Sequence, residues 1–172
     1  MAFEQRVRDM IDLRLVAAGA TPGTGTYVYE NLSSARFRGL EASWLQRLGS
    51  GFTATLSYNY LEAHNATGQR LERRPRHSGA ARLDWQQGPW RAGLDVEAYS
   101  GMLLPAATTG AAAVAVPAVT QVGGHLTQQL GKYLEWSLGV RNLGNVRLQD
   151  DSALYTQAEA PRTWRLTLRG RW

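Results

Sequence analysis

Apolar and polar positions alternate with period two along most of this chain. In 52–60 the even positions are Phe52, Ala54, Leu56, Tyr58 and Tyr60, against Thr53, Thr55, Ser57 and Asn59. In 90–97 Trp90, Ala92, Leu94 and Val96 oppose Arg91, Asp95 and Glu97; in 134–141 Leu134, Trp136, Leu138 and Val140 oppose Glu135, Ser137 and Arg141. Successive side chains of a strand point to opposite sides, so this pattern predicts strands with one apolar and one polar face. Eight such segments are marked, at 2–16, 26–47, 51–64, 76–87, 89–102, 119–131, 133–144 and 161–172. No window holds a convincing helical period over about 12 residues.

The connections alternate in length. Short ones fall at "LGSG" (48–51), "QQGP" (86–89) and "LGKY" (130–133), and long ones at 17–25, 65–75, 103–118 and 145–160. Antiparallel neighbours joined in this way put every tight turn at one end of the sheet and every long loop at the other. Outer-membrane barrels have that anatomy, whereas a Greek-key sandwich has no reason to keep the rhythm. The expected fold is therefore all-β, an antiparallel up-and-down meander of about eight strands, with the apolar face toward lipid. Trp44, Trp85, Trp90, Trp136 and Trp172 stand beside short turns or at the C-terminus. In this topology they share one rim and form an aromatic girdle, since indole favours the membrane–water boundary. A soluble β module with core tryptophans near its sheet ends is the alternative.

Composition narrows the classes. At 172 residues the chain suffices for one domain. It has no cysteine, which removes disulfides and thiolate metal sites. The net charge of +5 comes from arginines spread along the alternations, so nucleic-acid binding is not expected. No apolar run reaches the about 18 residues of a spanning helix. The stretch "MAFEQRVRDM" lacks the apolar core of a signal peptide.

The chain has no catalytic constellation. His64, His77 and His125 lack metal-ligand spacing, and Ser57, Ser100 and Ser137 lack a nucleophile elbow. No enzyme, metal or cofactor is expected. The candidate binding cluster is "RLERRPRH", with Arg70, Arg73, Arg74 and Arg76. Its field would attract an anionic ligand or lipopolysaccharide phosphates. The structural alternative is that these arginines pair with Glu72 and other carboxylates and shape a loop.

Three stretches carry a family resemblance. They are "VYENLSSARFRGLEASW" (28–44), "SYNYLEAHNATGQRLERRPRH" (57–77), and "GVRNLGNVRL" (139–148) with the closing "PRTWRLTLRGRW". Together they resemble the C-terminal part of the barrel of TonB-dependent outer-membrane receptors over essentially residues 1–172. The first matches that family's strand at Asn31, Ala35, Arg36, Gly39 and Glu41. The last resembles its closing strand and assembly signal, with Trp164, Leu166, Leu168 and Trp172; Gly170 and Trp172 depart from the usual aromatics.

The resemblance implies a segment of a 22-stranded barrel with a plugged lumen, in the bacterial outer membrane. It further implies uptake of a ferric siderophore, of catecholate type by the "NLGN" turn, or of cobalamin or haem. The implied partners are outer-membrane lipid and lipopolysaccharide, the TonB complex and the barrel-assembly machinery. Neither plug domain nor signal peptide is expected within these residues. An autonomous eight-stranded barrel with a structural or adhesion role is the other reading.

Overall fold

The computed structural model describes residues 1–19, 25–31, 34–106, 112–155 and 159–170. One eight-stranded antiparallel sheet dominates. Its strands, in spatial order, are β1 (Ala2–Arg8), β4 (Ser34–Gly49), β5 (Phe52–Asn65), β6 (His77–Gln87), β7 (Trp90–Ser100), β10 (Val119–Leu130), β11 (Leu134–Arg141) and β12 (Thr163–Gly170). The expected meander of eight strands is present, and its tight turns fall at the three expected places. Ser50 and Gly51, Gly88, and Gly131 take positive φ there. Gly51 also lies against the Gln86 carbonyl, so a Cβ would press into the backbone.

Two expected segments are each divided. The alternation 2–16 breaks at Asp9, which adopts φ 55° and ends β1. The stretch 26–47 becomes β3 (Gly25–Asn31) and β4. Strand β2 (Ile11–Ala18) pairs with β3 in a separate two-stranded sheet, a hairpin at the loop end. Period two runs through both breaks, so alternation alone does not mark them. The long connection after β7 carries a small hairpin, β8 (Leu103–Leu104) with β9 (Val114–Ala115). The last one carries a single helical turn, α1 (Leu148–Asp151).

The register staggers steadily. Phe52, beside the β4–β5 turn, pairs with Trp85, and β6 runs two residues further to Gln87. Trp90, beside the next turn, pairs with Gln128, and β10 runs two residues further to Leu130. Residues rise about 3.3 Å and strands lie about 4.8 Å apart, so two residues per hairpin tilt the strands by about 35°. Transmembrane barrels use that tilt.

Cross-strand pairs keep the two faces separate from the turn half of β4 to β12; in β1 and the loop half of β4 they mix, with Glu4, Arg6, Arg36 and Arg38 on the apolar-face side and Phe3, Val7 and Phe37 on the other. One face carries Leu40, Trp44, Leu56, Tyr58, Leu83, Leu94, Leu126, Leu138, Leu166 and Leu168, all substantially exposed. The other carries ion pairs, among them Arg82 with Asp84 at 2.7 Å, and Glu135 between Arg91 and Arg169. Among the described residues, buried apolar clusters lie at the loop end, not along the sheet. Met102, Leu104, Val116, Val119 and Leu148 form one, and Ala35, Ala63 and Leu71 the other. Both lie on the polar-face side, because Val119 pairs with Tyr99 and Ala63 with Phe37, positions of that face. The buried parts of the long loops therefore fold over the polar face, while Arg70 and Arg76 of the β5–β6 connection lie against His64 and Glu62 on the apolar-face side.

Candidate ligand-binding site

The loop end of the polar face holds a pocket built from four connected elements. Arg73 and Pro75 come from the β5–β6 connection, Ser78 and Tyr99 from the strand ends, Met102 and Leu104 from the β7–β8 region, and Leu154 and Tyr155 from the last long connection. The loops are fixed in place. Arg73 takes φ 56° and donates its backbone N–H to the Leu103 carbonyl at 2.7 Å. The Val116 N–H bonds to the Met102 carbonyl at 3.2 Å, and Met102 packs on Leu148 in the larger cluster. Burial, with Glu159 nearby, pushes the Tyr155 phenol up, so it stays a neutral hydroxyl. The result is one guanidinium, two phenols and an apolar floor.

Two asparagines position the last wall of this pocket. Asn142, buried and at φ 51°, donates to the carbonyls of Val146 (2.9 Å) and Ala160 (3.2 Å) and accepts from the Val146 N–H (2.9 Å). Asn145 accepts from the Arg162 N–H at 2.9 Å, joining the turn to the start of β12. The "NLGN" stretch thus closes the loop that delivers Leu154 and Tyr155.

The four arginines of the expected cluster take different partners. Arg73 and Arg74 lie toward the polar-face side. Arg74 stands 3.9 Å from Asp12 and over the Phe37 ring, while Arg73 stands over Tyr27. Arg70 donates to the Gly101 carbonyl at 2.6 Å, and Arg76 lies 3.9 Å from Glu62, a position of the apolar-face parity. Only Arg73 lines the pocket. Tyr99, Met102, Leu154 and Tyr155, which no motif marks, come from segments distant in sequence.

A second groove lies on the polar face of the last strands, lined by Asp95, His125, Ser137, Arg141, Arg165 and Thr167. His125 lies across Gly93, where any Cβ would meet the imidazole. Among the described residues no group of three or more metal-ligating side chains converges.

The described tryptophans lie on the apolar face. Trp85 lies tilted against Phe52 (6.2 Å), Trp90 meets Trp136 edge-on (6.2 Å), and the Trp136 indole donates to Gln128 at 2.9 Å. These three stand at or next to the turns. Trp44 pairs with Leu56, further up the strands, and Trp164 pairs with Val140 near the loop end of β12. Leu166 and Leu168 continue the same face; Trp172 lies outside the described residues.

Residues 2–143 match the profile of a family described as TonB dependent receptor-like, β-barrel. Similar solved structures include a ferric enterobactin receptor mutant of Pseudomonas aeruginosa, 24% identical with TM-score 0.72, covering 98% of this chain and 28% of that one. Another is FpvA of P. aeruginosa bound to a pyoverdine–iron complex, 14% identical with TM-score 0.74, covering 98% and 24%. A third is the copper transporter OprC, 17% identical with TM-score 0.71, covering 99% and 28%. At these identities the likeness concerns the fold, and the chain spans about a quarter of each of those proteins. No curated protein matches the sequence.

Proposed function

Because the chain belongs to the TonB-dependent receptor-like β-barrel family, we propose that it forms wall and loops of an outer-membrane uptake receptor for a ferric siderophore of catecholate type. The apolar face meets lipid and the polar face lines the lumen. The long loops lie at the extracellular end and the tight turns at the periplasmic end. Ligand enters over the loops, and energy for its import comes from the TonB complex through the rest of the protein. Outer-membrane lipid, lipopolysaccharide and the barrel-assembly machinery complete the partners of the whole receptor.

The observation that carries the ligand class is the pocket of Arg73, Tyr99 and Tyr155 on the lumen side of the loops. A ferric tris-catecholate is anionic and presents flat aromatic rings. A guanidinium answers the charge, phenols and their hydroxyls answer the rings, and Met102 and Leu104 supply apolar contact. Cobalamin carries a single phosphodiester charge and no catechol rings, so it matches this combination of guanidinium and phenols less well.

The test is uptake by cells carrying the whole receptor, with iron-radiolabelled ferric catecholate, ferric hydroxamate or haem, or cobalt-radiolabelled cobalamin, offered in turn. Arg73→Gln with Tyr155→Phe should lower ferric catecholate binding by about tenfold, the loss of one charge-assisted contact. Unchanged binding, or uptake of cobalamin alone, overturns the ligand assignment.

A further inference from the structure

We propose that the loop end of the apolar face carries a site for phosphorylated lipid headgroups of the outward leaflet. The proposal rests on the reading that this face meets lipid.

The parity of β4 and β5 builds the site. Leu40 pairs with Tyr60 and Ala42 with Tyr58 on the apolar face. Continuing along the same face toward the loops, Arg38 pairs with Glu62 and Arg36 with His64. On the other side of β4, Arg36 pairs with Arg6 and Arg38 with Glu4. The face thus changes within one step of the strand from apolar, through aromatic, to cationic.

The aromatic step is itself polar-tipped. The Tyr58 hydroxyl bonds His77 Nδ1 at 2.7 Å, the Tyr60 ring lies 5.2 Å from His77, and the Tyr60 hydroxyl donates to Glu62 at 2.8 Å. Rings with one apolar side and one wet tip mark the level of the membrane–water boundary. The cations above them stand where lipid phosphates lie.

Five guanidinium groups gather there, those of Arg6, Arg36, Arg38, Arg70 and Arg76. The carboxylates facing them are Glu4 and Glu62. Glu4 is shared by Arg36 (2.7 Å), Arg38 (3.0 Å) and Arg6 (3.5 Å), and Glu62 lies 3.9 Å from Arg76. The shared carboxylate holds the forks of Arg36 and Arg38 side by side while leaving them 41% and 51% exposed. A groove lined by Arg6, Arg36, Arg38, Glu62, His64 and Gly68 opens at this level.

Guanidinium forks match phosphate oxygens bidentately, and the boundary's lowered dielectric strengthens the pairing. A soluble anion bound for the lumen reaches Arg73 and Arg74 on the opposite side of the wall. An anion tethered in the bilayer reaches this groove. The cationic excess on the lipid side therefore fits a headgroup rather than the transported ligand.

The experiment is native mass spectrometry of the whole receptor, purified from outer membranes and delipidated. The added probe is an acylated glucosamine-disaccharide lipid, with or without its phosphates. Wild type should retain the phosphorylated form, and Arg36→Gln with Arg38→Gln should weaken that retention by about tenfold. Arg73→Gln with Arg74→Gln, on the other face, should leave it unchanged. Glu62→Gln, which removes a competing carboxylate, should increase it. Heat-modifiable migration on gels shows that each variant is folded and in detergent-facing form, which separates failure of this site from failure of the lipid-facing reading. Equal retention by wild type and the Arg36/Arg38 variant, equal retention of the dephosphorylated lipid, or displacement by millimolar free phosphate would overturn the proposal.

Discussion

Single residues hold the loop end together, and their roles follow from what they touch. Asn142 satisfies three backbone groups of the last long connection in a buried position. Asn142→Ala removes all three of those bonds, leaving the Val146 carbonyl only its bond from the Gln121 amide at 3.0 Å, and should cost about 2 kcal/mol. Hydrogen exchange should speed at Val146 and its neighbours while β5 and β6 keep their protection. Gly39 explains another part of the family strand: a Cβ there would come within 2.7 Å of the Phe3 ring that covers it. Glu72 gives a pH dependence. Burial raises its carboxyl above the ordinary 4.5; the Arg73 guanidinium opposes this and Asp12 adds to it. The folded state therefore holds the proton more tightly than the unfolded chain. Stability contributed at this site is full below 4.5 and is lost as pH rises through the higher folded value. Glu72→Gln should stabilise the loop region at neutral pH, with the gain vanishing below 4.5 in urea titrations.

At the scale of strands, face polarity is the main determinant of stability. Leu94 is 52% exposed and pairs with Leu83 on the apolar face; Thr53 lies on the polar face opposite Arg47 and Asp84. Arginine in lipid near the bilayer midplane costs about 2–4 kcal/mol. Leu94→Arg should lower the unfolding free energy in lipid vesicles by that amount, and Thr53→Arg by much less. The meander, its turns and its faces were legible in the sequence because period two and the glycine-bearing turns are local signals. The division at Asp9 was not, because one residue at positive φ interrupts a strand without disturbing the alternation. The pocket was legible only in part. The arginine run announced charge, but it lies in a loop where parity does not fix direction, so Arg73 and Arg76 part to opposite sides. Tyr99, Met102 and Tyr155 meet only through the folding of separate loops, which no short motif encodes.

The whole molecule is a wall, not a globule. Its exposed leucines and aromatics line one face of the sheet, and its buried clusters lie under the loops. Among the described residues β1 and β12 are open edges of the sheet. Unpaired backbone groups in hydrocarbon cost several kcal/mol each, so in a membrane those edges pair with further strands and close a barrel. A family match over residues 2–143 and a register that tilts the strands by about 35° support the same architecture. The central claim is that the even-numbered face of β5 and β7 meets lipid while the odd-numbered face lines a wet lumen. With no cysteine in this chain, labels can be placed singly within it. Nitroxides at Leu94→Cys and Thr53→Cys of the whole receptor in lipid bilayers should report opposite surroundings. The label at 94 should be relaxed by oxygen and shielded from a water-soluble nickel chelate, and the label at 53 should show the reverse. Nickel access at 94 together with oxygen access at 53 would contradict the account.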